Sequence, residues 1–297
     1  MNLLAKPQPP DINLAIINPS SPMAGVPVRR LMSGRSLLRY PGGKTRAVGI
    51  ITKYFPADIT EICSPFLGGG SIELHYACKG AKVYGYDIFK PLVEFWQCAV
   101  SDAAKLADCV QKYHPLTRDK FYKLQQSQTR FKTKLERAAV FYVLNRSSFS
   151  GSTLSGGMSP LHPRFTQTSI DRLRHFYNPN LEVQQADFKE SIAAHKNVFT
   201  YLDPPYLISN TLYGTKGDTH RDFDHAGLAR ILKRRDNWIM SYNDCKEIRT
   251  LYADYSIIRP EWKYGMSNDK SSREVLIFSR GLTPDMHAEP KKKRERV

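Results

Sequence analysis

The chain has 297 residues, and its 44 lysines and arginines outnumber its 28 aspartates and glutamates to give a formal net charge of +16. Hydrophobic residues make up 41% of the sequence, enough for a buried core, and no apolar run is long enough for a membrane-spanning helix. The charge excess favours a polyanionic partner, and nucleic acid is the expected one.

The first 36 residues are rich in proline, asparagine and serine and lack the basic and apolar segments of a signal peptide. They predict a loose tail and give no indication of secretion. The five cysteines form no CxxC pair, which is typical of reduced thiols in an intracellular protein. These cysteines are Cys63, Cys78, Cys98, Cys109 and Cys245.

Short β-favouring segments alternate with helical segments at both ends of the chain. The predicted strands are Thr60–Cys63, Lys82–Tyr86, Glu182–Gln185, Val198–Leu202, Trp238–Tyr242, Tyr255–Ile258 and Glu274–Phe278. The predicted helices among them are Ser71–Lys79, Phe188–Ala194, His225–Lys233 and Lys246–Tyr252. This alternation predicts an α/β fold with a parallel sheet wrapped by helices.

The alternation stops between about residues 92 and 177, which predicts a second, smaller and mainly helical domain. Its predicted elements are the charged helices Lys120–Gln128 and Lys134–Leu144 and the Ser/Gly-rich stretch Asn145–Gly157. The apolar residues Phe149, Leu154 and Met158 favour a hairpin or loop that packs or contacts a ligand over a flexible linker.

A glycine-rich turn, Pro65–Ser71, follows the first predicted strand and precedes a helix. Glycines at such a turn let a ligand approach the backbone N–H groups. The next strand ends at Asp87, where nucleoside-binding α/β proteins place a carboxylate for the ribose hydroxyls. The pair indicates nucleoside binding, while the absence of GxGxxG disfavours a nicotinamide cofactor.

The segment Tyr40-Pro41-Gly42-Gly43-Lys44 is similar to the end of a phosphate-binding P-loop. That motif needs a glycine at the position that Leu38 occupies, so the P-loop interpretation fails. By itself, the segment is also compatible with a helix start that carries a solvated lysine.

The stretch Asp203-Pro204-Pro205-Tyr206 ends the fourth predicted strand, because two prolines cannot continue a ladder of backbone hydrogen bonds. An exocyclic amine such as adenine N6 becomes nucleophilic when two acceptors hold its two N–H bonds and its lone pair leaves the ring conjugation. The Asp203 carboxylate and the Pro204 carbonyl are candidate acceptors, Pro205 stiffens the loop, and Tyr206 offers a face for the base.

Taken in chain order, these motifs resemble those of the Dam-type (D12 class, α group) DNA adenine-N6 methyltransferases. The resemblance runs from about Leu37 to Ser279, and it implies a Rossmann-like S-adenosylmethionine-dependent methyltransferase sheet with an inserted, mainly helical target-recognition domain. By the same resemblance, Phe223-Asp224-His225 matches a helix start after the catalytic loop, and Arg273–Ile277 matches the last strand.

The resemblance also implies roles for individual residues. Tyr40 and Lys44 would line the methionine side of the cofactor, Asp87 would hold its ribose, and Asp187 with Phe188 would border its adenine. The implied catalytic residues are Asp203, Pro204, Pro205 and Tyr206. The implied cofactor-binding residues are Tyr40, Gly43, Lys44, Phe66, Gly68, Gly70, Asp87, Asp187, Phe188 and Asp203.

The implied domain organisation is an N-terminal tail (1–36), a methyltransferase domain (37–95 and 181–280), a target-recognition domain (96–180) and a basic tail (281–297). Basic residues of the recognition domain would contact DNA. They are Lys120, Lys123, Arg130, Lys132, Lys134, Arg137 and Arg146.

The sequence therefore predicts a site-specific DNA adenine-N6 methyltransferase that acts as a monomer on double-stranded DNA, in the cytoplasm or nucleoid, with no metal and no membrane. The alternatives are methylation of cytosine N4 or an RNA base, and a catalytically inactive DNA-binding relative. His220 and His225 lack a companion ligand set for a metal. The tail Pro290–Val297 is either a non-specific DNA-binding segment or a nuclear localisation signal.

Overall fold

The computed structural model describes residues 32–40, 42–127, 130–151, 156–159, 164–207, 223–260 and 274–285. The sequence predictions for Pro41, Leu154, His220, Arg273 and the tail Pro290–Val297 lie outside these residues.

The centre of the fold is a seven-stranded sheet with the strand order β3-β2-β1-β4-β5-β7-β6. The first five strands are parallel, whereas β7 runs antiparallel to both of its neighbours, β5 and β6. The strands are β1 (Glu61–Ser64), β2 (Lys82–Asp87), β3 (Leu181–Gln185), β4 (Phe199–Leu202), β5 (Trp238–Asn243), β6 (Ser256–Ile258) and β7 (Glu274–Phe278).

Nine α-helices lie in the part of the chain that the structure describes. They are α1 (Val48–Ile51), α2 (Ser71–Cys78), α3 (Lys90–Gln111), α4 (Arg118–Gln126), α5 (Lys134–Ser147), α6 (Gln167–Arg174), α7 (Phe188–Ala194), α8 (His225–Leu232) and α9 (Lys246–Leu251). Short 3₁₀ segments occupy Lys44–Arg46, Thr52–Tyr54 and Phe149–Gly151. None of the described helices is both long and apolar enough to cross a bilayer.

The predicted α/β fold is confirmed, and every predicted strand is present with each end within one residue of its predicted position. The strands were predictable because β4, β5 and β7 are almost wholly buried, which gives the continuous apolar runs of a sheet covered on both faces. The sequence pattern did not predict that β7 lies between β5 and β6 and runs antiparallel to both.

Helix α3 is the longest described helix, and no element was predicted for most of its length. It runs from Lys90 through Gln111 with one non-helical residue, Asp102, and it therefore crosses residue 96, where the predicted recognition domain begins. Its buried face packs against α5 and α6, and Arg137 of α5 donates to both carboxylate oxygens of Glu94 at 2.7 and 2.8 Å. These contacts join the helical segment to the sheet.

The Ser/Gly-rich stretch begins later than predicted, because Asn145, Arg146 and Ser147 form the last turn of α5. Beyond it the chain turns back on itself: Ser148 pairs with Met158 in an antiparallel bridge, and the N–H of Phe149 donates to the carbonyl of Gly157 at 2.9 Å. The described part of this stretch is therefore paired in the manner of a hairpin.

Candidate active site

The candidate active site lies at the carboxyl ends of β1, β2, β4 and β5, the edge at which open parallel sheets bind their ligands. The glycine turn follows β1, Asp87 ends β2, Asp203 follows β4, and Asn243 ends β5. Residues that are far apart in the sequence thus meet at one edge.

The glycine turn is shaped by backbone conformations that favour glycine. Gly68 and Gly70 have φ values of 47° and 65°, in the left-handed region. A Cβ on Gly68 would lie 3.0 Å from the ring of Tyr40, and one on Gly43 would lie 2.9 Å from the Tyr40 carbonyl oxygen. The Tyr40 ring therefore packs directly on the turn, and larger residues at Gly43 or Gly68 would displace it.

Asp87 is fixed against the same turn. Its two carboxylate oxygens accept hydrogen bonds from the N–H groups of Gly68 and Phe89 at 3.1 and 3.0 Å. Burial raises the pKa of Asp87 above its usual value, although these hydrogen bonds oppose the shift. The carboxylate is held where it can also accept hydrogen bonds from the hydroxyls of a nucleoside.

Three aromatic rings form an apolar surface beside the turn, which we call the phenylalanine cluster: Phe66, Phe188 and Phe223. Their centroids are 5.3 to 6.0 Å apart, and Phe188 is 5% exposed. Asp187 lies just before Phe188 and caps α7, accepting from the N–H of Lys189 at 2.8 Å. The two residues predicted to border the cofactor adenine are therefore at this surface.

Lys44 is buried, at 3% exposure, and its ammonium group is surrounded by acceptors. It lies 2.7 and 2.8 Å from the two carboxylate oxygens of Asp203, and it donates to the Gly42 carbonyl at 3.1 Å. The interpretation of a solvated lysine at a helix start is therefore wrong. The turn instead places the Lys44 ammonium against the carboxylate of Asp203 in the Asp-Pro-Pro-Tyr loop.

Asp203 has a second support from a residue that the sequence did not indicate. The hydroxyl of Ser241 donates to its Oδ1 at 2.8 Å, and the Ser241 oxygen lies 3.0 Å from the hydroxyl of Tyr201. Ser241 is completely buried in β5. A polar residue within the apolar strand Trp238–Asn243 was the only available signal. Lys44 and Ser241 together fix the carboxylate of Asp203.

Two further acids near Lys44, Glu73 and Glu274, were also missed. Each is 3% exposed, and the Oε2 of Glu274 lies 3.7 Å from the Lys44 ammonium. Burial raises the pKa of each from 4.5 to about 7. For Glu73, this effect is larger than the opposite effect of the Ser64 hydroxyl, which donates a hydrogen bond to Glu73 at 2.7 Å and lowers its pKa. Lys44 therefore pairs with two carboxylates, Asp203 and Glu274, and its charge also lowers the pKa of Glu73.

Tyr206 completes the loop. One face of its ring stacks on Tyr242, with the centroids 5.9 Å apart and the planes inclined by 24°. The Lys44 nitrogen is 2.8 Å from the Tyr206 hydroxyl but 5.2 Å from the ring centroid, so it lies at the tip of the ring rather than above its face. Among the described residues, no ring covers the face opposite Tyr242.

We expect the substitution Glu73→Gln to change how stability depends on pH. The folded-state pKa of Glu73 lies above the usual 4.5, so its contribution is full below pH 4.5 and is lost as pH rises to about 7. Glutamine does not titrate. The difference in Tm, variant minus wild type, should increase between pH 4.5 and 7.5. A constant difference would contradict the buried state of Glu73, and Glu190→Gln on the surface of α7 is the matched control.

The predicted DNA-binding residues occupy different environments. Arg137 is committed to Glu94, and Arg146 is half-buried and donates to the carbonyl of Arg164. The others are exposed: Lys120, Lys123, Arg130, Lys132 and Lys134. Within the described ranges, no group of three or more His, Cys, Asp or Glu side chains is arranged to hold a metal ion.

A glycine turn after the first strand, an acid ending the second and an Asp-Pro-Pro-Tyr loop after β4 define a methyltransferase with a Rossmann-like sheet. Residues 40–266 match the family model of D12 class N6 adenine-specific DNA methyltransferases. The chain belongs to this family, whose members methylate N6 of adenine in DNA. The predicted class and reaction are confirmed.

Two relatives illustrate the similarity. The chain is 22% identical over 240 residues to the type II methyltransferase M.CviBI of Paramecium bursaria Chlorella virus NC1A, covering 77% of this chain and 91% of that protein. It is 23% identical over 262 residues to a DNA adenine methylase of Haemophilus influenzae (strain ATCC 51907 / DSM 11121 / KW20 / Rd), covering 80% and 90% of the two chains. The similarity extends over nearly the full length of both relatives.

Proposed function

We propose that the protein extrudes an adenine from double-stranded DNA, holds its N6 amine against the Asp-Pro-Pro-Tyr loop and methylates it with S-adenosylmethionine. The observation that carries this proposal is the fixed carboxylate of Asp203, which Lys44 and Ser241 orient at the edge of the sheet beside the glycine turn. We further propose that the protein acts as a monomer on DNA in the cytoplasm or nucleoid.

The residues present fit S-adenosylmethionine. A cavity of about 170 Å³ lies beside the glycine turn and is lined by Tyr40, Gly43 and Ser71, among others. The Asp87 carboxylate suits ribose hydroxyls, and the phenylalanine cluster suits a purine ring. When bound, this cofactor supplies an electrophilic methyl group. The protein's own part is to bind and orient the two reactants.

The loop offers two acceptors for the amine. Asp203 carries up to four lone-pair sites, so it can accept an N–H of the base while Lys44 and Ser241 remain bound. The Pro205 carbonyl already accepts from the hydroxyl of Tyr242 at 3.3 Å, whereas none of the described residues donates to the Pro204 carbonyl. Pro204 is thus the backbone acceptor that we assign to N6.

The roles of the side chains follow from this placement. Holding both N–H bonds makes the N6 lone pair available, and Asp203 is placed to stabilise the positive charge that develops on nitrogen and to accept its proton. The face of Tyr206 opposite Tyr242 receives the extruded base. Lys44 holds the Asp203 carboxylate in its orientation.

We propose that the helical segment of residues 96–180 selects the DNA sequence. The exposed lysine and arginine side chains of α4 and of the start of α5 are suited to bind DNA phosphates. The paired Ser148–Met158 stretch lies at the end of α5, where it can approach the edges of the DNA bases. Residues 37–95 and 181–280 then form the methyltransferase domain.

The reaction is tested by incubating the protein with unmethylated genomic DNA and labelled S-adenosylmethionine, followed by digestion to nucleosides. We expect the label on N6-methyladenine, because the two acceptors fit an exocyclic purine amine. A parallel incubation with RNA should remain unlabelled. Label on cytosine or on RNA would replace the proposed substrate, and cofactor binding without transfer would indicate an inactive relative.

A further inference from the structure

Four arginines gather where the segment of residues 35–40 meets α5 and α6. We call this group the arginine cluster: Arg39, Arg146, Arg164 and Arg172. Arg39 precedes Tyr40, Arg146 lies in the last turn of α5, and Arg172 lies in α6. None of the four forms an ion pair with a carboxylate in the part of the chain that the structure describes.

Backbone carbonyls hold three of these side chains in place. Arg146 donates Nε and Nη2 to the Arg164 carbonyl at 3.1 and 2.9 Å, and Arg39 donates Nη1 to the Ser148 carbonyl at 3.0 Å. Arg172 donates Nη2 to the carbonyls of residues 35 and 36 at 2.9 and 2.7 Å. A carbonyl leaves the guanidinium charge uncompensated, and each group retains further N–H donors because guanidinium has five.

The charges of the cluster act on one another. Burial is the main cause that lowers the pKa of Arg146, and the positive charges of Arg172, Arg39 and Arg164 lower it further. Burial and Arg164 lower the pKa of Arg39 in the same way. The repulsion among these charges is unfavourable in the free protein. An anion bound among them would attract each arginine and offset that repulsion.

The cluster borders the candidate active site. Arg39 lines the cavity of about 170 Å³ together with Tyr40 and Gly43. Asn145 fastens it there, since its side chain accepts from the N–H of Arg39 at 2.8 Å and donates to the carbonyl of Arg39 at 2.7 Å. Asn145 is 1% exposed. The arginines of the segment and of α5 therefore keep a fixed relation to the loop that receives the base.

We propose that the arginine cluster binds one phosphate of the DNA backbone that flanks the extruded adenine. This inference rests on the proposed function. Several guanidinium groups that converge from different elements match the oxygens of a tetrahedral oxyanion, whereas a base edge requires a single planar fork. Arg146 thus holds the backbone rather than reading a base, and the bound phosphate keeps the target nucleotide outside the duplex.

The salt dependence of DNA binding tests the proposal with Arg146→Gln and Arg172→Gln. Loss of one phosphate contact should reduce the slope of log K against log salt by about 0.9. Cofactor affinity should stay at the wild-type value, and a cooperative melting transition shows that each variant is folded. Arg174→Gln is the matched control, because Arg174 lies in α6 with Arg172 but pairs with Asp108 at 2.6 Å. The slope of this control should equal that of the wild type. Wild-type slopes in both cluster variants would overturn the proposal.

The source of the phosphate is tested separately. A neutral methylphosphonate at one linkage beside the target adenine should weaken binding to the wild type and have no further effect on Arg172→Gln. A different result would overturn the DNA contact: inorganic phosphate raises the Tm of the wild type, but a methylphosphonate at no linkage weakens binding to the wild type more than to Arg172→Gln. The cluster would then be assigned to a free anion.

The two proposals fail in different ways. Methylation of adenine with unchanged salt slopes would remove the phosphate site and keep the proposed function. Altered slopes in a protein that transfers no methyl group to adenine would keep the phosphate site and remove the proposed function.

Discussion

Asp203→Asn should lower the single-turnover rate of methyl transfer by about 100- to 1,000-fold, the range found when one preorganised group that stabilises developing charge is removed. Asparagine preserves the size of the side chain and an oxygen that accepts from Ser241, so the loop keeps its shape. The carboxylate charge that we place against the N6 amine is lost. DNA affinity should change little, because the defect lies in the transition state.

The comparison for this prediction is Asp108→Asn. Asp108 is a surface acid that pairs with Arg174, and its substitution should leave the transfer rate unchanged. A wild-type rate in Asp203→Asn would remove Asp203 from the mechanism. An unfolded Asp203→Asn protein is recognised by its melting curve before the rate is measured.

Lys44→Met should destabilise the protein by about 3 kcal/mol at pH 8, the order found when one partner of a buried ion pair is removed. Methionine fills a similar volume, but it leaves Asp203 and Glu274 without their cation in a buried site. Burial keeps the pKa values of Glu73 and Glu274 near 7, so both are neutral at pH 5. The destabilisation should therefore be smaller at pH 5 than at pH 8.

Denaturant unfolding at the two pH values measures this difference. Lys82→Met is the comparison, since Lys82 pairs with Glu182 on the surface and its removal should have little effect at either pH. A Lys44→Met protein as stable as the wild type at pH 8 would show that Asp203 and Glu274 do not depend on this lysine.

The strands of the sheet and the loop after β4 could be predicted because their signals are local. Apolar runs mark buried strands, and consecutive prolines mark the end of one. The surroundings of Asp203 had no such signal. Ser241 and Glu274 come together only because β7 pairs antiparallel with β5, which aligns Asn243 with Glu274. Nothing in either strand sequence specifies that pairing.

Only one member of the arginine cluster was predicted, because no local signal marks the other three. Arg146 lies next to the Ser/Gly-rich stretch and was noticed for that reason. Arg39, Arg164 and Arg172 belong to three other parts of the sequence, and the docking of α5 and α6 against the N-terminal segment brings them together. No element was predicted over α3, although its buried apolar residues, among them Leu92, Leu106 and Val110, recur at helical spacing.

Asn145 limits the distance between the arginine cluster and the catalytic loop, because it holds Arg39 in place. Its two hydrogen bonds to Arg39 leave five residue steps, from that arginine to Lys44, between the arginine cluster and the catalytic loop. A chain of that length spans at most about 17 Å, whereas one turn of duplex DNA rises about 34 Å. We therefore expect the proposed phosphate contact and the methyl transfer to fall within about half a turn of the duplex.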